Sequence, residues 1–143
     1  MLHRLFLLTV LVLSTQASMA YADEVTEFQK AQTAAHAWLK WVDQGNYPKS
    51  WLEAAQPLKK AITSAQWQSA LTEARAPLGP VISRQPVLVQ YKPPVPNAPA
   101  GEYVVIQYQT RFANRVTAIE TVTPIRETDG LWRVSGYFVQ PSE

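Results

Sequence analysis

Between Val25 and Gln44, apolar residues return every three or four positions: Phe28, Ala31, Ala35, Trp38, Leu39 and Val42. That spacing predicts an α-helix with one apolar stripe. Gln29, Thr33, His36, Lys40 and Gln44 fall on the opposite side, and Trp41 lies at the border. Gly45 supplies a stop, because it adopts the left-handed backbone that ends a helix without a side-chain clash. "NYPKSWLEAA" predicts a short second helix, with Asn46 as N-cap, Pro48 in the first turn and Pro57 as its breaker. A third helix begins at Thr63, whose distance from Gln66 is that of a capping box. It is predicted to bury Trp67, Ala70, Leu71 and Ala74, and it ends in "RAPLGPV".

After Gly79 the period shortens to two. "VISRQPVLVQY" reads as a strand whose Pro86 belongs at an edge or a bulge. "KPPVPNAPAGE" reads as a stiff connection, with a polyproline ligand as the competing reading. "YVVIQYQTRF" alternates Val104, Ile106, Tyr108 and Phe112 against Tyr103, Val105, Gln107, Gln109 and Arg111. A turn at Ala113-Asn114, with Asn114 left-handed, leads into "VTAIETVTPI"; "ETDG" then turns into "LWRVSGYFV". Helices followed by hairpin-connected strands predict an α+β fold, with N-terminal helices packed on a curved four-stranded antiparallel meander sheet. A twisted sheet around a helix forms a cone whose mouth can be a pocket. The predicted core is Phe28, Trp38, Leu39, Val42, Trp67, Leu71, Val104, Ile106, Phe112, Trp132 and Val134.

The chain opens in another style. His3 and Arg4 precede an apolar run from Leu5 to Leu13, and Ala20-Tyr21-Ala22 matches the pattern of a signal cleavage site. The run is too short for a membrane anchor, which needs about 20 apolar residues. Residues 1–22 are therefore read as a cleaved export signal and residues 23–143 as a single α+β domain, periplasmic or secreted, with no membrane insertion after cleavage. Arg4 is the only charge lost with the signal, so the formal net charge falls from +2 to +1. That balance, without clustered Lys or Arg, argues against a nucleic-acid partner. The absence of cysteine removes disulfides, thiolate metal ligands, a cysteine nucleophile and a lipoprotein anchor together.

Few side chains suggest chemistry. His36 lies on the polar side of its helix with no carboxylate motif beside it, so no metal is expected. No glycine-rich phosphate loop, G-x-S-x-G elbow or paired-carboxylate motif is present, and no cofactor is expected. Trp38, Trp67 and Trp132 fit a core, while Trp41 and Trp51 either rim a groove or fill a helix–sheet seam. The tyrosines are read as half-buried rings with their hydroxyls in water. Arg111 shares its parity with Gln107 and Gln109, a solvated face; Arg133 and Tyr137 share a parity on either face. Glu120 interrupts an apolar and hydroxyl-bearing strand. It shares its parity with Ala118 and Val122, against Thr117, Ile119, Thr121, Thr123 and Ile125 as the competing core side. An inward Glu120 needs a cation, since burial disfavours its charge, and Arg75 and Arg84 are the candidates. Three readings stand open: a structural ion pair, a solvated outer residue, or the acid/base of a pocket with Tyr108 as hydrogen-bond donor.

"WLKWVDQGNYPKSWLEAA", "QWQSALTEARAPLGPVISR", "EYVVIQYQTRFANRVTAIETVT" and "DGLWRVSGYFV", in that order, resemble a bacterial family of exported proteins known only as a domain of unknown function. The order of helices and meander is similar to the nuclear-transport-factor-2-like or cystatin-like architecture. That architecture hosts isomerases, dehydratases, immunity proteins and non-catalytic binding modules, and the family brings no catalytic residues to carry over. The resemblance and the residues together favour a non-catalytic binding or protein-interaction module of the cell envelope. Its partner would be an envelope protein or a small ligand, with a homodimer through the sheet as a further option. The alternative is a small isomerase- or dehydratase-like enzyme using Glu120.

Overall fold

The computed structural model describes residues 7–93, 96–97 and 101–142. His3 and Arg4 lie outside the described residues, as do residues 94–95 and 98–100 of the proline-rich loop. Helices α1 (Leu7–Asp43), α2 (Tyr47–Leu52), α3 (Gln56–Ala61) and α4 (Ser64–Arg75) precede strands β1 (Val81–Lys92), β2 (Tyr103–Phe112), β3 (Arg115–Arg126) and β4 (Trp132–Pro141). The strands form one antiparallel sheet in the order β1-β2-β3-β4. Helix α1 lies on one face, mainly over β3 and β4. This is the α+β arrangement that the periodicities predict.

The stripe of α1 is buried from Ala31 to Val42, with Phe28 half-buried at its start, and the opposite residues, His36 among them, are exposed. Gly45 (φ 71°) ends the helix. Its N–H donates to Val42 O (3.0 Å) and that of Asn46 to Trp41 O (2.9 Å), the two bonds of a Schellman motif. At its other end α1 runs on to Leu7, well before Val25. No Gly or Pro interrupts residues 7–24, so nothing local stops the helix there.

Two helical expectations are corrected. Pro57 does not simply break α2; it sits in the first turn of a separate helix, α3, where its missing N–H costs nothing. There are therefore four helices in the described residues, not three. On α4 the Thr63–Gln66 capping box forms and Trp67 and Leu71 are buried, but Ala70 and Ala74 are exposed and Arg75 is buried instead. A long side chain with an apolar stem fills the helix–sheet gap that a methyl would not span. Ser50, fully buried, ties the helices together: its carbonyl accepts the Trp38 indole N–H (2.8 Å) and its hydroxyl that of Trp67 (3.0 Å).

In the sheet, the predicted β2 alternation is observed, and Thr110 joins its buried side. On β3, Ala118, Glu120 and Val122 are all fully buried and form the core parity. Edge strand β1 has register shifts between Val81 and Ser83 and between Pro86 and Leu88. A further shift between Thr123 and Pro124 sets Ser135 of β4 out of step, and its hydroxyl donates to Thr123 O (2.9 Å). That bulge reverses the parity of β4. Tyr137 consequently faces the core with Trp132 and Val134, and the parity shared by Arg133 and Tyr137 is broken. The turn at Asn114 also differs from expectation, because Asn114 is not left-handed. The Asn114 and Ala113 N–H groups donate to Leu78 O (2.9 Å) and Pro80 O (2.9 Å), so the connection from α4 to β1 sets the turn's shape.

Candidate functional site

Beneath the end of α1 the sheet holds a buried polar cluster. β1 brings Arg84 opposite Thr110 of β2, while β3 brings Glu120 opposite Tyr108. Glu120 is fully buried. Its Oε1 accepts from Arg84 Nε (2.7 Å) and Thr110 Oγ1 (2.5 Å), and its Oε2 from Arg84 Nη2 (3.1 Å) and Tyr137 OH (2.5 Å). A carboxylate offers about four lone-pair sites, and four donors occupy them. The tyrosine that reaches Glu120 is Tyr137, not Tyr108, which is buried beside it.

The network continues to α1. Arg84 turns Nη1 and Nη2 to Asp43 Oδ2 (2.7 Å) and Oδ1 (2.9 Å), so one planar guanidinium clamps two carboxylates. Arg75, from the last turn of α4, donates through Nη2 to Asp43 Oδ1 (2.9 Å) and through Nη1 to Tyr137 OH (3.2 Å). It stands 3.8 Å from Glu120 Oε2. Its buried Nε has no hydrogen-bond partner among the described residues, and its guanidinium carbon lies 4.9 Å from the centre of the Phe112 ring, a cation–π contact. Two arginines and two carboxylates leave the cluster neutral. Asp43 and Arg84 reach solvent at its rim, with side chains 26% and 11% exposed.

Proton affinities follow this geometry. Burial alone would raise the Asp43 carboxyl, but hydrogen bonds and charge from Arg84 and Arg75 outweigh it and hold the group below the ordinary aspartate value. Burial would lower Arg84, but Asp43 and Glu120 more than reverse it and the guanidinium stays charged. Tyr137 is pushed well above the ordinary phenol value, first by burial and then by the charge of Glu120.

Glu120 lines none of three clefts among the described residues. One, of about 670 Å³, runs between α1 and the start of β4 and is walled by Trp38, Trp41, Leu131 and Trp132. A second of about 620 Å³ lies between α3 and the β3–β4 turn, and a third of about 320 Å³ is lined by Ser83, Arg84, Gln109 and Arg111, so it reaches the cluster's arginine but not Glu120. Of the two tryptophans left between groove and seam, Trp41 lines the 670 Å³ cleft. Trp51 is half-buried and donates its indole N–H to Ile62 O (2.9 Å). Among the described residues, no group of three His, Cys, Asp or Glu stands close enough to hold a metal ion.

Residues 34–137 match the family described as protein of unknown function DUF4019. The chain belongs to that family. The DUF4019 segment begins within α1 and ends on Tyr137, so it contains every member of the cluster: Asp43, Arg75, Arg84, Thr110, Glu120 and Tyr137. No curated protein matches the chain. Sequence reasoning had Glu120, Arg75 and Arg84 in view but missed Asp43, Thr110 and Tyr137. Two of these carried a signal. Asp43 lies four residues after Leu39 on the buried stripe, and Thr110 lies between Tyr108 and Phe112 on the buried parity of β2. Tyr137 carried none, because its orientation depends on a bulge.

Proposed function

We propose that this chain is a non-catalytic binding module of an exported bacterial protein, working in the periplasm or after secretion. We read its sheet and helices as a cone of the nuclear-transport-factor-2-like or cystatin-like kind. One observation carries the non-catalytic reading: the Glu120 carboxylate is saturated. A general acid or base must present a lone pair or proton to substrate, whereas four protein donors occupy this one and no described cleft opens on it. The 670 Å³ cleft lies elsewhere, and its three charged residues, Lys30, Glu53 and Arg133, are each held in an ion pair. Aromatic walls and engaged charges suit recognition better than proton transfer. Export is supported by the basic, apolar and small-residue order of residues 1–22. Among the described residues no helix is long and apolar enough to cross a membrane.

Unfolding in urea tests the reading. If the cluster is architectural, Glu120→Gln and Arg84→Ala each destabilise by up to about 3–5 kcal/mol, because each strands a buried charge. The double variant should then show a coupling of about 0.5–3 kcal/mol. A Glu120→Gln protein as stable as the parent, or more so, would overturn it, since relief of a strained carboxylate is what an acid/base site predicts.

A further inference from the structure

The cleft of about 320 Å³ lies on the sheet face turned away from α1. On β2 the inward parity is buried, so Gln109 and Arg111 stand on the outer face. Ser83 and Gln85 of β1 are their register partners, and directly opposed residues share a face. Thr117 of β3 shares the parity of Ile119, the partner of Gln109. These side chains line the cleft together with Arg84, whose guanidinium is turned to the inner face and held there by Asp43 and Glu120.

The register explains why the sheet opens here. Between β1 and β2, Val81 pairs with Phe112 and Ser83 with Arg111, so Ile82 and Ser83 together oppose Arg111. Between β2 and β3, Phe112 pairs with Arg115 and Thr110 with Ala118, so Val116 and Thr117 together oppose it from the other side. Two residues against one is a β-bulge, and Arg111 has a bulge on each side. Bulges bend the strand that carries them and re-aim side chains, so two that converge on one residue spread the strands around it.

The lining is one-sided in charge. Arg75, Arg84, Arg126 and Arg133 each lie within 3.8 Å of at least one carboxylate, whereas Arg111 has no such partner among the described residues. No acidic side chain lines the cleft, and the charge of Arg84 is already matched. The site therefore offers one uncompensated positive charge, which a monoanion neutralises and a dianion exceeds. A planar guanidinium suits a carboxylate, which it grips through two parallel N–H···O bonds. The rest of the lining, Ser83, Gln85, Gln109 and Thr117, carries only hydroxyls and amides, which both donate and accept. Thr117 Oγ1 accepts from Ser142 Oγ (2.6 Å), which leaves its own proton to give. Ligand hydroxyls match such a set, while a hydrocarbon ligand meets no apolar side chain there. A volume of about 320 Å³ lies at the lower end of the range for ligand pockets.

We propose that this cleft binds a sugar acid, free or at the end of a glycan chain, with its carboxylate on Arg111 and its hydroxyls on Ser83, Gln85, Gln109 and Thr117. The inference rests on the binding-module reading and gives it a ligand class.

The test is an amide-resonance titration of the full-length chain with D-galacturonate, trigalacturonate, D-galactose, acetate and inorganic phosphate. D-Galacturonate is expected to shift the amides of Ser83, Gln109 and Arg111 saturably, with a Kd of about 1 mM, ordinary for so small a ligand. Galactose lacks the charge and acetate lacks the hydroxyls, so each should bind about tenfold more weakly or worse. Arg111→Gln should lose about tenfold or more, while its urea midpoint stays with the parent's because the side chain is exposed. Trigalacturonate bound more tightly than the monomer marks a chain end as the ligand, and equal binding marks the free acid; both uphold the proposal. No saturable shift by about 10 mM galacturonate overturns it. So does undiminished binding to Arg111→Gln, because the binding face is then elsewhere. Acetate or phosphate bound as tightly as galacturonate overturns it too, since the cleft then reads a bare anion, and galactose bound as tightly removes the role of the charge. The binding-module reading falls on a different measurement, an undiminished stability of Glu120→Gln, so the two failures are distinguishable.

Discussion

Arg84 holds Glu120 through Nε and Nη2 and Asp43 through Nη1 and Nη2, so β1, β3 and α1 meet on one planar group. Taking these charges out of water costs about what their attraction returns, and the cluster therefore fixes geometry more than it adds stability. Its pH dependence has a definite sign at each end. Asp43 is held below the ordinary aspartate value, so the unfolded chain takes up its proton first as the solution is acidified. Its contribution is complete above about pH 4 and is lost as the pH falls further. Asp43→Asn should flatten the fall in urea midpoint between neutral and acid pH; an unchanged slope would refute the assignment. Tyr137 acts in the opposite sense. Its folded value is raised, so its contribution is complete below about pH 10 and is lost as the pH rises beyond. Tyr137→Phe should be less sensitive to alkali than the parent, read as the melting temperature between neutral pH and about pH 11, a range that spans the ordinary phenol value. The sequence made Glu120 conspicuous because it was the lone carboxylate in an apolar strand. It could not show which arginine would meet it, since Arg75 and Arg84 both lie in earlier elements and reach it only through the packing of α4 on the sheet and the pairing of β1.

At the level of elements, legibility followed how local the determining interaction was. The α1 stripe, the glycine stop and the Thr63 capping box are set by residues within one or two turns, and all three are observed as read. Helix α3 escaped because proline marks a helix start as readily as an end, and "AAQPLKK" allows both. The β4 bulge escaped because it is fixed by pairing with β3, and it alone carries Tyr137 to the inner face. The elements are joined by tryptophans whose indoles are both packed and hydrogen-bonded. Trp38 is 4% exposed, bonds to Ser50 O, and stands 5.6 Å from the Tyr137 ring, which links α1 to α2 and β4. Trp38→Ala should cost about 3–5 kcal/mol, the range for a buried aromatic, measured by urea unfolding. Trp132→Ala should fall in the same range, because it removes the packing of β4 on α1 and leaves Glu27 Oε2 without its indole donor. Losses below about 1 kcal/mol at both positions would mean that helix and sheet are not held together by these contacts.

For the whole molecule, the question is where the folded unit begins. α1 is continuous from Leu7, yet residues 17–26 are exposed throughout, whereas Glu27 and Phe28 engage the body. Glu27 accepts from the Trp132 indole and Phe28 packs edge-on to Tyr91, with ring centres 6.0 Å apart. A chain that starts at Asp23 keeps both contacts. It gives up the exposed side-chain bond from Thr26 Oγ1 to Ala22 O (2.9 Å). Its unfolding free energy should therefore match that of the full chain within about 0.5 kcal/mol, as for any change confined to solvated surface. A chain that starts at Ala31 loses the Glu27 and Phe28 contacts and should be destabilised by roughly 1–3 kcal/mol, the span for one half-buried aromatic and one hydrogen bond. The pair of truncations separates a helix that needs its N-terminal turns from one that only carries them. If the first costs more than about 2 kcal/mol, residues 1–22 belong to the folded unit and their removal as an export signal would be self-defeating. If it costs nothing, the molecule is built to survive that cleavage, and N-terminal sequencing of the protein from its native host should read from Asp23; a start at Met1 would refute processing while leaving the fold unchanged.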